Sequence, residues 1–139
     1  MPLHLIKLAV GVDDVAHLRK MQKERRRERG RYVFYTRHMP RRREEILDGG
    51  SIYWVIKGYI RVRERILGFI PVEEEDGERY CMVRYDPKLV ETVWQPKRPF
   101  QGWRYLLPKD APPDRPAKGA KEDQLPEAMA EELRSLGLL

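Results

Sequence analysis

The chain has 139 residues, with 28 Lys and Arg against 22 Asp and Glu, a formal net charge of +6 at pH 7, and one cysteine. This length suits one domain, and the 41% hydrophobic share is enough for a core, so the 36% charged share indicates a polar surface and not disorder. A lone cysteine excludes an intrachain disulfide, and no apolar run approaches the ~20 residues of a membrane span. We therefore expect a cytoplasmic protein without membrane contacts.

Positive charge is concentrated in the first third of the chain. Between Arg19 and Arg43 there are twelve Lys or Arg residues against two Glu. Such a field attracts nucleic acid and other anions. Arginine outnumbers lysine nineteen to nine, which suits bidentate phosphate contacts, although codon bias explains that ratio equally well. The clustering, which codon bias does not explain, predicts an anionic partner.

The first predicted elements are a strand and a helix. The apolar run from Leu3 to Val10 predicts a strand that ends at Gly11. Asp13 is the expected N-cap of a helix that continues to Arg29 and stops at Gly30. The apolar stripe of this helix is narrow, so its arginine-rich second half should project into solvent.

A second strand and a short helix follow. The segment from Tyr32 to Thr36 is rich in β-forming residues. Pro40 opens a helix whose expected buried contacts are Ile46 and Leu47, and the run Asp48-Gly49-Gly50 ends it.

The next strand has two apolar faces. Ile52, Trp54 and Ile56 alternate with Tyr53 and Val55, which predicts a strand covered on both sides.

Arginine occupies every second position of the following strand. Ile60 and Val62 are predicted to point inward and Arg61, Arg63 and Arg65 outward, and a bulge is expected between Arg65 and Gly68. Further strands are predicted at Arg79–Tyr85, Leu89–Trp94 and Phe100–Leu106, the last with Gly102 as a point of close backbone approach.

This order predicts an α+β fold with one domain over residues 1–108. Short consecutive strands with glycines at the bends favour a small, mostly antiparallel β-barrel with two or three peripheral helices. Residues 109–139 are predicted to form a proline- and charge-rich loop and a short helix, Glu127–Leu136, which packs on the barrel or extends from it.

Motifs for catalysis, metals and cofactors are not found in the sequence. His4, His17, His38 and Cys81 have no ligand-like spacing. Ser51 lacks the glycine pattern of a nucleophile elbow. We therefore expect no catalytic residue, no metal and no cofactor.

The basic clusters are the stronger functional signal. Arg41, Arg42, Arg43, Arg61 and Arg63 are predicted to bind phosphate on a common rim, because an arginine fork matches phosphate oxygens. Nearby aromatic residues could stack an unpaired base, worth about 1–3 kcal/mol. The alternative is a charged surface balanced by acidic loops, with the aromatics in the core.

A second predicted site is a ligand pocket formed by Trp103, Arg104 and Tyr105. Trp103 and Tyr105 should share one strand face and Arg104 the other. A planar ligand could stack there while the guanidinium binds its polar edge. The alternative role for Trp103 is packing in the core.

Three segments of the chain are distinctive: Met-Pro-Leu-His-Leu-Ile-Lys-Leu, Asp-Gly-Gly-Ser-Ile-Tyr-Trp-Val-Ile-Lys-Gly, and Phe-Gln-Gly-Trp-Arg-Tyr-Leu with the following Pro-Lys-Asp-Ala-Pro-Pro-Asp. Together they resemble an uncharacterised proteobacterial family, domain of unknown function DUF 1489. The resemblance covers nearly the whole chain. It implies a bacterial cytosolic protein, and the family has no established activity to transfer.

The helix-Gly-Gly-strand-strand arrangement from Glu44 to Phe69 is also similar to PUA-like barrels, including the ASCH and EVE groups. This similarity implies a PUA-like barrel that binds RNA or modified bases. The leading hypothesis is a non-catalytic RNA- or nucleotide-binding module. The alternatives are a module that docks an acidic protein and a small enzyme that acts on a nucleobase or nucleotide.

Overall fold

A computed structural model describes residues 2–116. This part of the chain forms two α-helices and seven strands: β1 His4–Leu8, α1 Val15–Arg29, β2 Val33–Thr36, α2 Arg43–Leu47, β3 Ser51–Ile56, β4 Tyr59–Glu73, β5 Arg79–Tyr85, β6 Val90–Pro96 and β7 Trp103–Leu106, followed by a 3₁₀ turn, Pro108–Asp110. The predicted order of elements is confirmed. The helix expected at Glu127–Leu136 lies outside the described residues.

The strands form a single sheet that is mostly antiparallel. Its order is β2-β5-β4-β3-β1-β7, and β6 pairs with the first half of β4. Within residues 2–116, only β1 and β3 pair in parallel, and the long connection between them contains both helices and β2. The predicted α+β class is therefore confirmed at this level.

The sheet is open, and the expected closed barrel is wrong in that respect. Strands β2 and β7 are its two ends, and no ladder joins them within residues 2–116. The segment after β2 instead reaches β7 through side chains: the indole Nε1 of Trp103 donates to the carbonyl of His38 at 3.0 Å. The phenol oxygen of Tyr105 accepts from the backbone N–H of Arg42 at 3.1 Å.

The sheet is buried on both faces around β3, as its sequence predicted. On the first face, Ile52 and Trp54 belong to the larger apolar cluster, which α1 covers through Leu18. On the second face, Tyr53 and Val55 belong to a smaller cluster. Every residue of β3 is buried.

Two bulges shape the long strand β4. The predicted bulge is confirmed by a register shift against β5 between Ile66 and Gly68. A second shift makes Arg61 an extra residue opposite β3, so that Ile60 pairs with Val55 and Val62 with Trp54. Ile60 therefore lies in the smaller cluster and Val62 in the larger one, and the prediction that they share a face is wrong.

Helix α1 ends as predicted but begins one residue later. Gly30 adopts φ 78°, and its N–H bonds the carbonyl of Arg26. The N-cap is Asp14, whose carboxylate accepts the backbone N–H of His17 at 2.7 Å. Asp13, the predicted cap, pairs instead with Lys57 at 3.3 Å.

Two smaller expectations are corrected. In α2, Ile46 is fully buried, but Leu47 is 38% exposed. The helix has only five residues, and Ile46 is the one residue of the helix that is buried. Gly102 makes no close approach, since a Cβ there would meet nothing within 4 Å; its φ of 68° explains the glycine.

Candidate ligand-binding cleft

The arginine cluster at the start of α2, residues 41–43, contacts β7 through Arg42. Arg42 makes a two-point ion pair with Glu45, with Nε–Oε2 and Nη2–Oε1 distances of 2.6 and 2.8 Å. The guanidinium also lies over the ring of Tyr105, 5.6 Å from its centroid. The hydrogen bond from Arg42 lowers the pKa of the Glu45 carboxyl group. Arg41 and Arg43 are exposed.

Two arginines of β4, Arg61 and Arg63, already have partners. Arg63 binds both carboxylate oxygens of Asp114 at 2.7 Å and donates to the hydroxyl of Ser51 at 3.1 Å. Arg61 stacks on Trp94, with its guanidinium carbon 3.6 Å from the ring centroid. Part of the positive charge predicted to meet phosphate is therefore used within the protein.

The two arginine clusters do not form one rim. Arg63 is in register with Tyr53, and Tyr53 with Ile6, so all three project from the second face. Arg42 contacts Tyr105, which is in register with Leu5 and packs on the first face. The expected common rim is wrong, because the sheet separates these contacts.

The predicted pocket residues also divide between the two faces. Trp103 and Tyr105 share one face, as expected, with ring centroids 5.0 Å apart. Arg104 projects from the other and lies over Phe100 at 5.1 Å. Trp103 and Tyr105 partly cover the larger core cluster. The three side chains therefore cannot surround one ligand.

A cleft that the sequence did not reveal lies between the end of β1, helix α1 and β2. Its volume is about 250 Å³. Its floor consists of buried core side chains, namely Val12, Leu18, Phe34 and Trp54. Lys7, Arg25 and Arg29 line it with positive charge, and exposed Tyr35 and Val10 stand at its rim. None of the described lining residues carries a carboxylate.

Strand pairing explains how Lys7 reaches the cleft. Leu3, Leu5 and Lys7 alternate onto the first face of the sheet, and Lys7 is the last of them. Lys7 is in register with Trp54 on one side and Trp103 on the other. Directly paired side chains on one face are neighbours, so the lysine stem lies between two tryptophans.

The three cations of the cleft are not equivalent. Lys7 is half-buried, and this burial lowers the pKa of its ammonium group. Within residues 2–116 no hydrogen bond or ion pair engages that ammonium. Arg29 is held in place, since its Nη1 donates to the carbonyl of Val33 at 2.9 Å and its guanidinium lies 4.7 Å from the centroid of Tyr35.

A buried carboxyl group lies behind the cleft floor. Glu64 is fully buried, and its Oε1 accepts from the Trp54 indole at 2.9 Å and from the Gln22 side chain at 2.6 Å. Burial raises the pKa of Glu64 to about 7. The interaction orients Trp54 and ties α1 to the sheet. The sequence signal was a glutamate that interrupts the apolar positions of β4.

A second polar group lies on the opposite face. The Nδ1 of His4 accepts the backbone N–H of Ser51 at 3.0 Å, and its ring contacts Tyr53 edge-on at 5.0 Å. Burial lowers the pKa of His4, so the neutral ring is favoured. This group ties β1 to the start of β3, whereas the Arg63–Asp114 pair and backbone hydrogen bonds hold residues 113–115 along β6. We assign it a structural role.

Comparison with known families decides the chain's family. The sequence model of the family described as "Protein of unknown function (DUF1489)" matches residues 5–139. The chain belongs to the DUF1489 family. No curated protein and no solved structure matches it.

Residues 2–116 of this DUF1489 protein show neither a metal-binding cluster nor a membrane-spanning helix. No group of three or more His, Cys, Asp or Glu side chains within residues 2–116 could hold a metal ion. In the same part of the chain, no helix has the length and apolar character needed to cross a membrane.

Proposed function

We propose that this DUF1489 protein is a non-catalytic RNA- or nucleotide-binding module, and that it binds its ligand in the cleft at Lys7. The observation that carries the proposal is the lining of that cleft. Three cations and the aromatic rings of Phe34, Tyr35 and Trp54 line a cleft whose volume is about 250 Å³. Aromatic faces stack bases, and cations bind phosphate, so the lining supports both halves of a nucleotide. A cytoplasmic bacterial setting is part of the proposal.

The exposed side of α1 supports the same ligand. Arg19, Lys20, Lys23 and Arg27 line a depression along this helix with a single acid, Glu24. A basic helix beside the cleft would attract the phosphates that flank a bound nucleotide.

The predicted phosphate contacts keep a secondary place in this proposal. Exposed Arg41 and Arg43 would meet more distant phosphates. Arg42, Arg61 and Arg63 would contribute less, because Glu45, Trp94 and Asp114 already engage them.

Fluorescence anisotropy with a short single-stranded RNA tests the proposal. We expect the double substitution Lys7→Met/Arg25→Gln to weaken binding by about tenfold or more, because two charge-assisted contacts are lost. The matched control is Arg41→Gln/Arg43→Gln, which removes the same charge from exposed positions. We expect the control to lose clearly less affinity.

Three outcomes decide the test, with thermal unfolding used to show that both variants fold. A specific loss in the cleft variant supports the site. An equal or larger loss in the control would place binding at Arg41 and Arg43, at the start of α2. No binding to RNA or nucleotides at low salt, where phosphate contacts are strongest, would refute the proposed function.

A further inference from the structure

We infer that the cleft at Lys7 receives a terminal phosphomonoester, the phosphorylated end of an RNA or nucleotide, and not an internal phosphodiester. This inference rests on the proposed function and names the ligand class of the same site. Its basis is the combination of charge, burial and size in the described cleft.

The charge of the cleft exceeds what one phosphodiester neutralises. Lys7, Arg25 and Arg29 supply three positive charges, and none of the described lining residues supplies a negative one. A phosphodiester carries one negative charge, whereas a phosphomonoester carries about −1.5 to −2 at pH 7 and offers three strong acceptor oxygens. The terminal group therefore matches the cations better.

The position of Lys7 favours a compact dianion. Its ammonium is half-buried and unpaired within residues 2–116, so it has lost part of its hydration without gaining a protein partner. Trp54 and Trp103, its register neighbours, limit solvent on both sides. A ligand with two charges offsets this loss of hydration better than one with a single charge.

The shape of the cleft favours an end over a continuous strand. About 250 Å³ lies below the usual pocket range of about 300–1,000 Å³, so the space suits one nucleotide-sized group. The floor belongs to the core, since Leu18, Phe34 and Trp54 are each less than a tenth exposed. A chain that enters at the rim would therefore stop at the floor.

One RNA oligomer, prepared in three forms, tests this inference by anisotropy. The forms carry hydroxyls at both ends, a 5′ phosphate, or a 3′ phosphate, so that the result also shows which end is bound. We expect one phosphorylated form to bind at least about tenfold more tightly than the hydroxyl form, as for one additional charge-assisted contact. Lys7→Met keeps the aliphatic stem and should abolish that preference.

Lys57→Met is the matched control, because Lys57 is an exposed lysine paired with Asp13 away from the described cleft lining. It should keep the full preference. Equal binding of all three RNAs, with weaker binding in Lys7→Met/Arg25→Gln, would overturn the inference and leave the proposed function standing. Failure of every RNA to bind would remove both. A preference that persists in folded Lys7→Met protein would also overturn the role of Lys7.

Discussion

Glu64 is a carboxyl group in the middle of an apolar sheet. Its Oε1 accepts two hydrogen bonds, and its Oε2 has no partner within the described part of the chain. The charged or titratable groups that act on it come from α1, β5 and the residue after β5, namely Arg19, Tyr85 and Asp86. A buried group with this few partners favours its neutral form.

The protonation of Glu64 should make stability depend on pH. Its pKa is raised from 4.5 to about 7, chiefly by burial, so the folded protein holds this proton over a range where the unfolded chain has lost it. The free energy of unfolding should therefore be highest below pH 4.5 with respect to this group, and fall as the pH rises to about 7. A difference between a pKa of 4.5 in the unfolded chain and about 7 in the folded protein changes the free energy of unfolding by roughly 3 kcal/mol at most.

Glu64→Gln tests this prediction, because glutamine can still accept the bonds from Gln22 and Trp54 and cannot ionise. In urea unfolding, we expect the variant to exceed the wild type by up to roughly 3 kcal/mol at pH 8 and to differ little at pH 5. The exposed Glu75→Gln should show no such pH-dependent difference. A Glu64→Gln effect that is equal at both pH values would contradict the assignment.

At the scale of elements, the turn between α2 and β3 determines how β1 enters the sheet. Gly50 is buried, and its N–H bonds the carbonyl of Ile46 at 2.6 Å. A Cβ at this position would overlap the backbone carbonyl of Leu3 and lie 2.5 Å from that of Ile46. Two elements therefore approach at Gly50 more closely than any side chain allows.

Gly50→Ala should destabilise the protein by about 1–3 kcal/mol or more, since backbone atoms must shift to relieve the overlap. Gly68→Ala is the control, because a Cβ at that position in β4 meets nothing within 4 Å. We expect Gly68→Ala to be close to neutral. Urea unfolding of both variants provides the measurement, and an equal effect at the two positions would show that the close approach at Gly50 does not matter.

The element boundaries show where local sequence is sufficient. Helix α1 was predicted to stop at Gly30, and β3 to be covered on both faces, and both are confirmed. A glycine stop and an unbroken apolar run are decided by neighbouring residues. The bulge at Arg61 was missed because it depends on pairing with β3 and β6, which the sequence of β4 does not specify.

For the whole molecule, the main feature is a sheet whose two end strands are connected without a ladder. The bonds from Trp103 to the His38 carbonyl and from the Arg42 N–H to Tyr105 tie residues 38–42 to β7. Helix α1 connects β1 to β2, and the cleft lies between these three elements. The candidate site therefore lies next to this unclosed seam, between β2 and β1, the strand that pairs with β7.

Trp103→Phe and Tyr105→Phe should each lower the free energy of unfolding, because each removes one cross-seam hydrogen bond. The Tyr105 change should have an effect of about 0.5–1.5 kcal/mol, and the Trp103 change a larger one because packing is also lost. The two rings are in contact, so the double variant should not be additive. Urea unfolding checks these values.

Tyr35→Phe is the control for the hydroxyl, because Tyr35 is 42% exposed and makes ring contacts within the described chain but no hydroxyl hydrogen bond. It should be near neutral. If Tyr105→Phe were equally neutral, the bond to Arg42 would not stabilise the seam.

The sequence by itself determined the order of strands and helices, the glycine stops, the buried character of β3 and the concentration of positive charge. These properties follow from periodicity and from residues that are close along the chain. The tertiary structure alone decided that the sheet stays open, that Arg42 and Arg63 meet their partners on opposite faces, and that Lys7 lies between Trp54 and Trp103. The physical reason is strand register: it brings distant residues together, and no local pattern of β1 indicates which strands will flank it.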